Sequence, residues 1–432
     1  EDPHQLALVV RSNTAHELYF PREDEKMTIL AASLAGTFNL GACGCWNPNG
    51  PTGTATGGTS TTLSTALTLN PIVPLHGYKI RITAGTGEGQ ERTIDTVTPG
   101  ANSVVTVTSA WSVTPDNTSV FLLRTGRFYV LGSGTLASGS FRYYNIATSA
   151  WTTLSNTNLP ASWSTDGFMC APCVTVFVTG TATGGGASTL SNVAKAWATN
   201  QFVTYQIRIT AGTGAGQTRI IASNTGTQIT VSVAWTIAPD ATSVYSIENN
   251  EDEIFLAGNN AVTLYRYSIS ANSWTVISPS VTRPAGPGQG LCLVCVDQDP
   301  DPAWQIENAL LNGRRLYSAR GQGSASFDYY DKAANAWTNN PHSTFAETFT
   351  VASGYTYANG LLYIQKDSTG RLFQFSPSSG TVIPAGRFPI TQTTPTAGNK
   401  MWLYQYADGA TKISYLCFWH NNTAMVNRLM LI

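Results

Sequence analysis

Two long stretches of this chain are near copies of one another, and that duplication limits the available folds more than any other feature. Gly53-Thr-Ala-Thr-Gly-Gly58 returns as Gly180-Thr-Ala-Thr-Gly-Gly185. Tyr78-Lys-Ile-Arg-Ile-Thr-Ala-Gly-Thr-Gly-Glu-Gly-Gln90 returns 127 residues on (78 to 205) as Tyr205-Gln-Ile-Arg-Ile-Thr-Ala-Gly-Thr-Gly-Ala-Gly-Gln217. Ala110-Trp111 with Pro115-Asp116 returns as Ala234-Trp235 with Pro239-Asp240. Within each copy, Ile80-Arg-Ile-Thr83 or Ile207-Arg-Ile-Thr210 alternates with a period of two. A Gly-Thr-Gly-x-Gly turn follows, then a run such as Val104-Val-Thr-Val-Thr108 or Gln228-Ile-Thr-Val-Ser232. That is strand, turn, strand.

A second, shorter repeat surrounds these copies. Phe141-Arg-Tyr-Tyr144…Ala150-Trp151 is echoed by Leu264-Tyr-Arg-Tyr267…Ser273-Trp274 and Phe327-Asp-Tyr-Tyr330…Ala336-Trp337, and more weakly by Leu372-Phe-Gln-Phe375…Gly380-Thr-Val382. An apolar run precedes each: Arg127–Leu131, Glu253–Ala257, Arg315–Ser318 and Gly360–Ile364. Earlier still come small residues, in Gly41-Ala-Cys-Gly-Cys45, Gly167-Phe-Met-Cys-Ala-Pro-Cys173 and Gly290-Leu-Cys-Leu-Val-Cys295. Each unit therefore reads as four short antiparallel strands with Gly, Asn, Asp and Ser at the joints. Such a unit is the blade of a β-propeller: small residues crowd toward the axis, aromatics face the next blade, and the Trp covers that seam.

In these residues the chain resembles kelch-type propellers, with the Gly-Gly doublet of that family reduced to Leu131-Gly132 and Ala257-Gly258. The expected fold is all-β: a kelch-like β-propeller of about six blades with two small β-rich insertion modules. Removing two modules of about 75 residues leaves roughly 280, near six blades at about 45–50 residues each. The expected division is N-terminal propeller strands in 1–50, a first module in 51–125, blade strands in 126–178, a second module in 179–247, and further blades with ring closure in 248–432. Lys400–Tyr406, Lys412–Phe418 and Met425–Ile432 supply a fifth blade, and Leu6–Val10, Glu17–Phe20 and Lys26–Leu34 are expected to pair with them. Both modules lie between the first and second strands of consecutive blades, where long insertions add little closure entropy.

Composition agrees. Over 432 residues only 11% are charged, 42% are apolar and 10% aromatic, with 11 Trp and 18 Tyr. That excludes a coiled coil or long helical bundle and argues against wholesale disorder. A net charge of −1 supplies no field for nucleic acid or an anionic membrane, and no run reaches the length of a membrane span. The first residue is Glu1 and not Met, so a start that is processed, trimmed or left out is expected, and no surviving signal peptide is expected. Seven cysteines in so long a chain do not describe a disulfide scaffold.

The search for chemistry yields bland readings. Gly85–Gln90 and Gly212–Gln217 lack the Lys-Ser/Thr and the following helix of a phosphate loop, and read as hairpin glycines. Cys170-x-x-Cys173, Cys292-x-x-Cys295 and Cys43-x-Cys45 fall on inner strands; residues three apart on a strand point to opposite faces, so packing is the expected role. His4, His16, His76, His342 and His420 share no metal-ligand spacing. The copper-oxidase constellation known in some kelch-type propellers finds no matching residues. Arg314-Arg315 and Glu347 are the nearest approach to a glycosidase axis, and no Gly-x-Ser-x-Gly elbow occurs. Asp297–Asp301 and Glu248–Glu253 read as solvated acidic loops without the ligand alternation of an EF-hand. The sequons at Asn117 and Asn421 carry no information by themselves. No catalytic, cofactor-binding or metal residues are expected, and no enzyme.

The module signature, Ile-Arg-Ile-Thr-Ala-Gly-Thr-Gly-x-Gly-Gln-x-Arg-x-Ile at Ile80–Ile94 and Ile207–Ile221 with the later Trp and Pro-Asp-x-Thr-Ser-Val, resembles modules in structural proteins of tailed bacteriophages. The resemblance implies a virion protein of the tail, neck or head surface, present in multiple copies beside other virion structural proteins, with a host surface glycan as a further candidate partner. The alternative is a secreted or cell-surface carbohydrate-binding propeller. In that case Trp111 and Trp235 are the candidates for stacking on sugars, set against a plain role as hydrophobic plugs.

Overall fold

The computed structural model describes residues 43–71, 74–163, 167–171, 176–258, 261–283, 315–320 and 324–339. It also describes 7–10, 16–19, 27–29, 294–295, 354–358, 361–366, 371–376, 381–387, 400–408, 411–419 and 426–431. All regular elements among these residues are strands.

Four antiparallel four-stranded sheets, the blades, follow one another along the chain. The first runs Cys43–Asn47, Arg127–Leu131, Phe141–Asn145, Ala150–Thr153, and the second Gly167–Cys170, Glu253–Gly258, Ala261–Ser268, Ser273–Ile277. The third is Val294–Cys295, Arg315–Ala319, Phe327–Asp331, Ala336–Thr338, and the fourth Gly354–Ala358, Leu361–Lys366, Arg371–Phe375, Val382–Arg387. The first strand of each blade neighbours the first strand of the next, and Gly354–Ala358 in turn neighbours Lys400–Asp408. First strands gathered side by side, with the other strands leading away, make a propeller-like arrangement.

The described residues contain four such blades, against the expected six. Lys400–Asp408, Thr411–Trp419 and Val426–Leu431 form a three-stranded sheet. Among the described residues the N-terminal strands Ala7–Val10, His16–Tyr19 and Met27–Ile29 pair with each other and not with the C-terminal strands. Their short connections make that pairing local, which costs far less closure entropy than joining the two chain ends.

One local device recurs in the blades. In the first three blades the second Tyr of the third strand lies directly opposite the Trp of the fourth: Tyr144 with Trp151, Tyr267 with Trp274, Tyr330 with Trp337. Ring centroids are 5.2, 5.0 and 5.6 Å apart. The turn between these strands closes on a left-handed residue, Ser149, Asn272 or Asn335 (φ 53°, 47°, 48°). Asn tolerates this conformation best after Gly. In the second and third blades the Tyr hydroxyl donates to that Asn Oδ1, at 2.7 Å from Tyr267 and 2.8 Å from Tyr330. In the first blade Ser149 Oγ donates instead to the Asn70 carbonyl of the inserted module, at 2.6 Å.

Between blades, the aromatics of one sheet bury against the Tyr–Trp pair of the next. Phe141 meets Tyr267 edge-on at 4.9 Å and Trp274 at 5.0 Å. Phe255 and Leu264 share a core with Leu316, Tyr330 and Trp337, and Tyr317 and Phe327 pack on Phe375 at 5.7 and 5.4 Å. One charge pair crosses the second seam, Lys332 with Glu253, and at the third blade Asp328 accepts from Arg320 (2.8 Å) and from Arg283 of the preceding connection (3.0 Å).

These seams make the fold sensitive to alkali. Burial pushes the Tyr129 and Tyr330 hydroxyls up to about 12, and moves Tyr267 in the same direction. A phenol in the unfolded chain loses its proton near 10, so above that pH the folded state holds more protons and stability falls as pH rises. The stabilisation is whole below pH 10 and is lost through about 12. The near-UV circular dichroism of the buried aromatics should collapse across that window; a signal unchanged at pH 12 would contradict the burial of these phenols.

Candidate interaction surface on the paired barrels

The two inserted copies are small barrels. In the first, the strands are ordered Val120–Arg124, Thr52–Thr59, Thr62–Thr65, Ser103–Val107, Glu91–Thr98, Lys79–Ala84, and Val120–Arg124 pairs with both its neighbours to close the ring. The second repeats this order through Val244–Glu248, Gln206–Ala211, Thr218–Asn224, Gln228–Val231 and Thr189–Ser191. Its seam strand is divided into Val176–Thr181 and Gly184–Gly186. The division is bridged by Ala182 N donating to the Ser243 carbonyl (2.8 Å) and Thr183 N to the Ser191 carbonyl (2.7 Å).

The shared signature now has a physical reading. Gln90 Oε1 accepts from the amides of Ser112 (2.7 Å) and Val113 (3.1 Å), while its Nε2 donates to the carbonyls of Gly87 (3.1 Å) and Val113 (2.9 Å). Gln217 does the same with Thr236, Ile237 and Gly214. Arg92 donates to the Ala110 carbonyl and Ser112 Oγ with its guanidinium over Trp111. Arg219 matches it on Ala234, Thr236 and Trp235. Asp116 caps its own turn through the amide and hydroxyl of Thr118, and Asp240 through those of Thr242. These bonds hold both carboxyls below the ordinary aspartate range. The Gln clamps of the signature are thus spent on their own barrel's backbone and its second Arg on backbone and a hydroxyl, and Trp111 and Trp235 are buried plugs.

What the clamps present outward is apolar. Val113 and Ile237 occupy equivalent places, each with its amide and carbonyl held by the Gln carboxamide, and their side chains are 51% and 56% exposed. Barrel 2 adds Val193 (72%) and Val233 (65%). Near these positions the barrels meet through their glycine turns. Glu88 packs against Gly216, and Gly89 lies beside Ala215 and Gly216. Burial against the neighbouring barrel raises the Glu88 carboxyl above its usual range.

A cluster of three arginines and three glutamates lies at this junction. Arg81 pairs with Glu91 at 2.8 Å, Arg208 with Glu248 at 2.7 Å, and Arg124 of barrel 1 with Glu251, just beyond barrel 2, at 2.6 Å. Burial opposes the ionisation of Glu91 and Glu248, but the facing arginines outweigh it and hold both below the ordinary glutamate range. The two copies differ at these positions. Glu91 matches Thr218 and Arg124 matches Glu248, so the seam is complementary where identical copies would repel.

The acidic segment Glu248–Glu253 is therefore not the solvated loop expected from sequence. Its three glutamates are buried and bound to Arg208, Arg124 and Lys332, and Asp252 accepts from Ser268 and Ser270. Cys43, Cys45 and Cys170 are thiols on inner strands, and Cys173 and Cys292 lie outside the described residues. Among the described residues no three potential metal ligands gather. His76 is exposed and bonded to the Asp95 carbonyl at 3.1 Å. Arg315 stacks on Tyr329 at 4.2 Å. Asp297–Asp301, Arg314, Glu347, His4, His342 and His420 fall outside the described residues.

No family model and no curated protein matches the chain. Among solved structures, a structural genomics protein of unknown function from Bacteroides thetaiotaomicron is 12% identical over 85% of this chain and 65% of its own, with a TM-score of 0.30. The chain thus spans about two-thirds of that protein. The phage phi92 endosialidase is 10% identical over 96% of this chain and 53% of its own, at 0.27. An auxiliary nutrient binding protein from Bacteroides thetaiotaomicron is 10% identical over 91% and 99%, at 0.26. Likeness at this level carries no functional argument.

Proposed function

We propose that this chain is a non-catalytic structural protein of a bacteriophage virion, in which a kelch-like propeller scaffold carries two barrels that bind other virion proteins. The observation behind this reading is the equivalence of Val113 and Ile237. In both barrels a Gln carboxamide fixes the backbone on either side of an exposed apolar residue. Side chains held out rigidly lose little entropy when a partner covers them. Repetition of the pair suits a partner that is itself repeated, as in a multicopy assembly of the tail, neck or head surface. The resemblance of the module signature to tailed-phage structural proteins supplies the virion setting.

A carbohydrate-binding propeller is the second reading. The burial of Trp111 and Trp235 removes its two stacking candidates and leaves it without named residues. Mass spectrometry of purified particles distinguishes the readings: the first expects the chain at fixed stoichiometry with other structural proteins. Its absence from particles, together with binding of the isolated chain on a glycan array, would favour the second.

A further inference from the structure

The two barrels are attached to the scaffold in different ways. The core of barrel 1 is continuous with its blade: Leu69, Leu75, Trp111 and Ile80 share one buried cluster with Phe128, Tyr144, Ile146 and Ala147. Backbone bonds add to this, with Asn70 N donating to the Ala147 carbonyl at 3.0 Å. The core of barrel 2, from Ala182 to Ile247, is a cluster of its own, and among the described residues no blade residue joins it. Among the described residues, the hydrogen bonds and ion pairs that tie barrel 2 to its surroundings gather at its exit. Arg124 binds Glu251 at the exit from the barrel, and the Asn47 side chain of the first blade donates to the Glu251 carbonyl at 3.0 Å. The pairs Arg81–Glu91 of barrel 1 and Arg208–Glu248 of barrel 2 lie close enough to act on one another electrostatically, and Glu88 rests on Gly216.

We infer that barrel 2 is a hinged unit that can swing away from barrel 1 without unfolding, with the Arg124–Glu251 pair as its latch. An apolar interface would resist such motion through the loss of buried area. Here the Arg81–Glu91 and Arg208–Glu248 pairs stay within their barrels, only the Arg124 and Asn47 contacts to Glu251 are exchanged for water, and the seam opens at lower cost. The inference is independent of which partner the barrels bind.

The test uses the full chain with nitroxide labels on keto amino acids replacing exposed Asn102 and Thr227, one in each barrel. Electron–electron resonance should give one dominant distance in the parent. Arg124→Glu should broaden it and add a longer population, and Arg124→Glu with Glu251→Arg should restore the parent distribution. Hydrogen exchange in the same variants should leave Ile207 and Ile229 of barrel 2 protected. An unchanged distance in Arg124→Glu would overturn the latch. Loss of protection at Ile207 and Ile229 in that variant would overturn the hinge, because the barrel would then fold only when docked.

Discussion

Trp274→Ala is expected to lower stability by about 3–5 kcal/mol, the range for truncating a fully buried aromatic. The indole is packed between Tyr267 of its own blade and Phe141 of the preceding one, both centroids at 5.0 Å, and its carbonyl receives the Asn158 side chain at 2.9 Å. The cavity would open on two sheets at once, so neither can close it alone. Trp274→Phe keeps a ring in place and should cost less. Urea unfolding followed by circular dichroism measures both; a loss under about 1 kcal/mol for the alanine variant would mean the blade seam is not packed as described.

The glycine turns give the second large effect, and the two copies should respond differently. A Cβ at Gly85 would lie 2.0 Å from the Thr118 carbonyl oxygen, and one at Gly212 equally close to that of Thr242. Both glycines have positive φ, 78° and 76°. The left-handed backbone alone costs an L-residue about 1–2 kcal/mol, and a clash with backbone has no flexible side chain to relieve it. Each Gly→Ala change should cost more than about 3 kcal/mol, beyond the usual range for a surface turn. Because barrel 1 shares its core with the first blade, Gly85→Ala should loosen Phe128 and Tyr144 as well. Gly212→Ala should open barrel 2 and leave the blades intact. Hydrogen exchange resolved by segment would separate the two outcomes, and equal effects on the blades would contradict the separate cores.

Much of this architecture is legible in the sequence. The constant spacing of the second Tyr from the Trp (144 and 151, 267 and 274, 330 and 337) reports blade strands because the two residues lie opposite one another on neighbouring strands. The duplicated signature reported a repeated module because Gly at positive φ and the Gln and Arg clamps are sequence-local needs. Long-range pairing was less visible. Nothing local distinguishes N-terminal strands that pair with each other from strands that reach the far end of the chain. Glu248, Glu251 and Glu253 look like a solvated acidic run because their partners Arg208, Arg124 and Lys332 lie between 40 and 127 residues away. The sequence signal that could have shown the tuning of the two modules is the mismatch between copies, Glu91 with Thr218 and Arg124 with Glu248. Trp111 and Trp235 had two readings, and burial decides for the plug.

The function proposed here depends on the signature serving the fold while the exposed apolar positions meet a partner. Changing Val113 and Ile237 together to aspartate, in a phage that encodes the chain, tests this most directly. The expected result is a double variant that unfolds at the parent temperature but is missing from purified particles. Particles carrying the variant at parental copy number would contradict it.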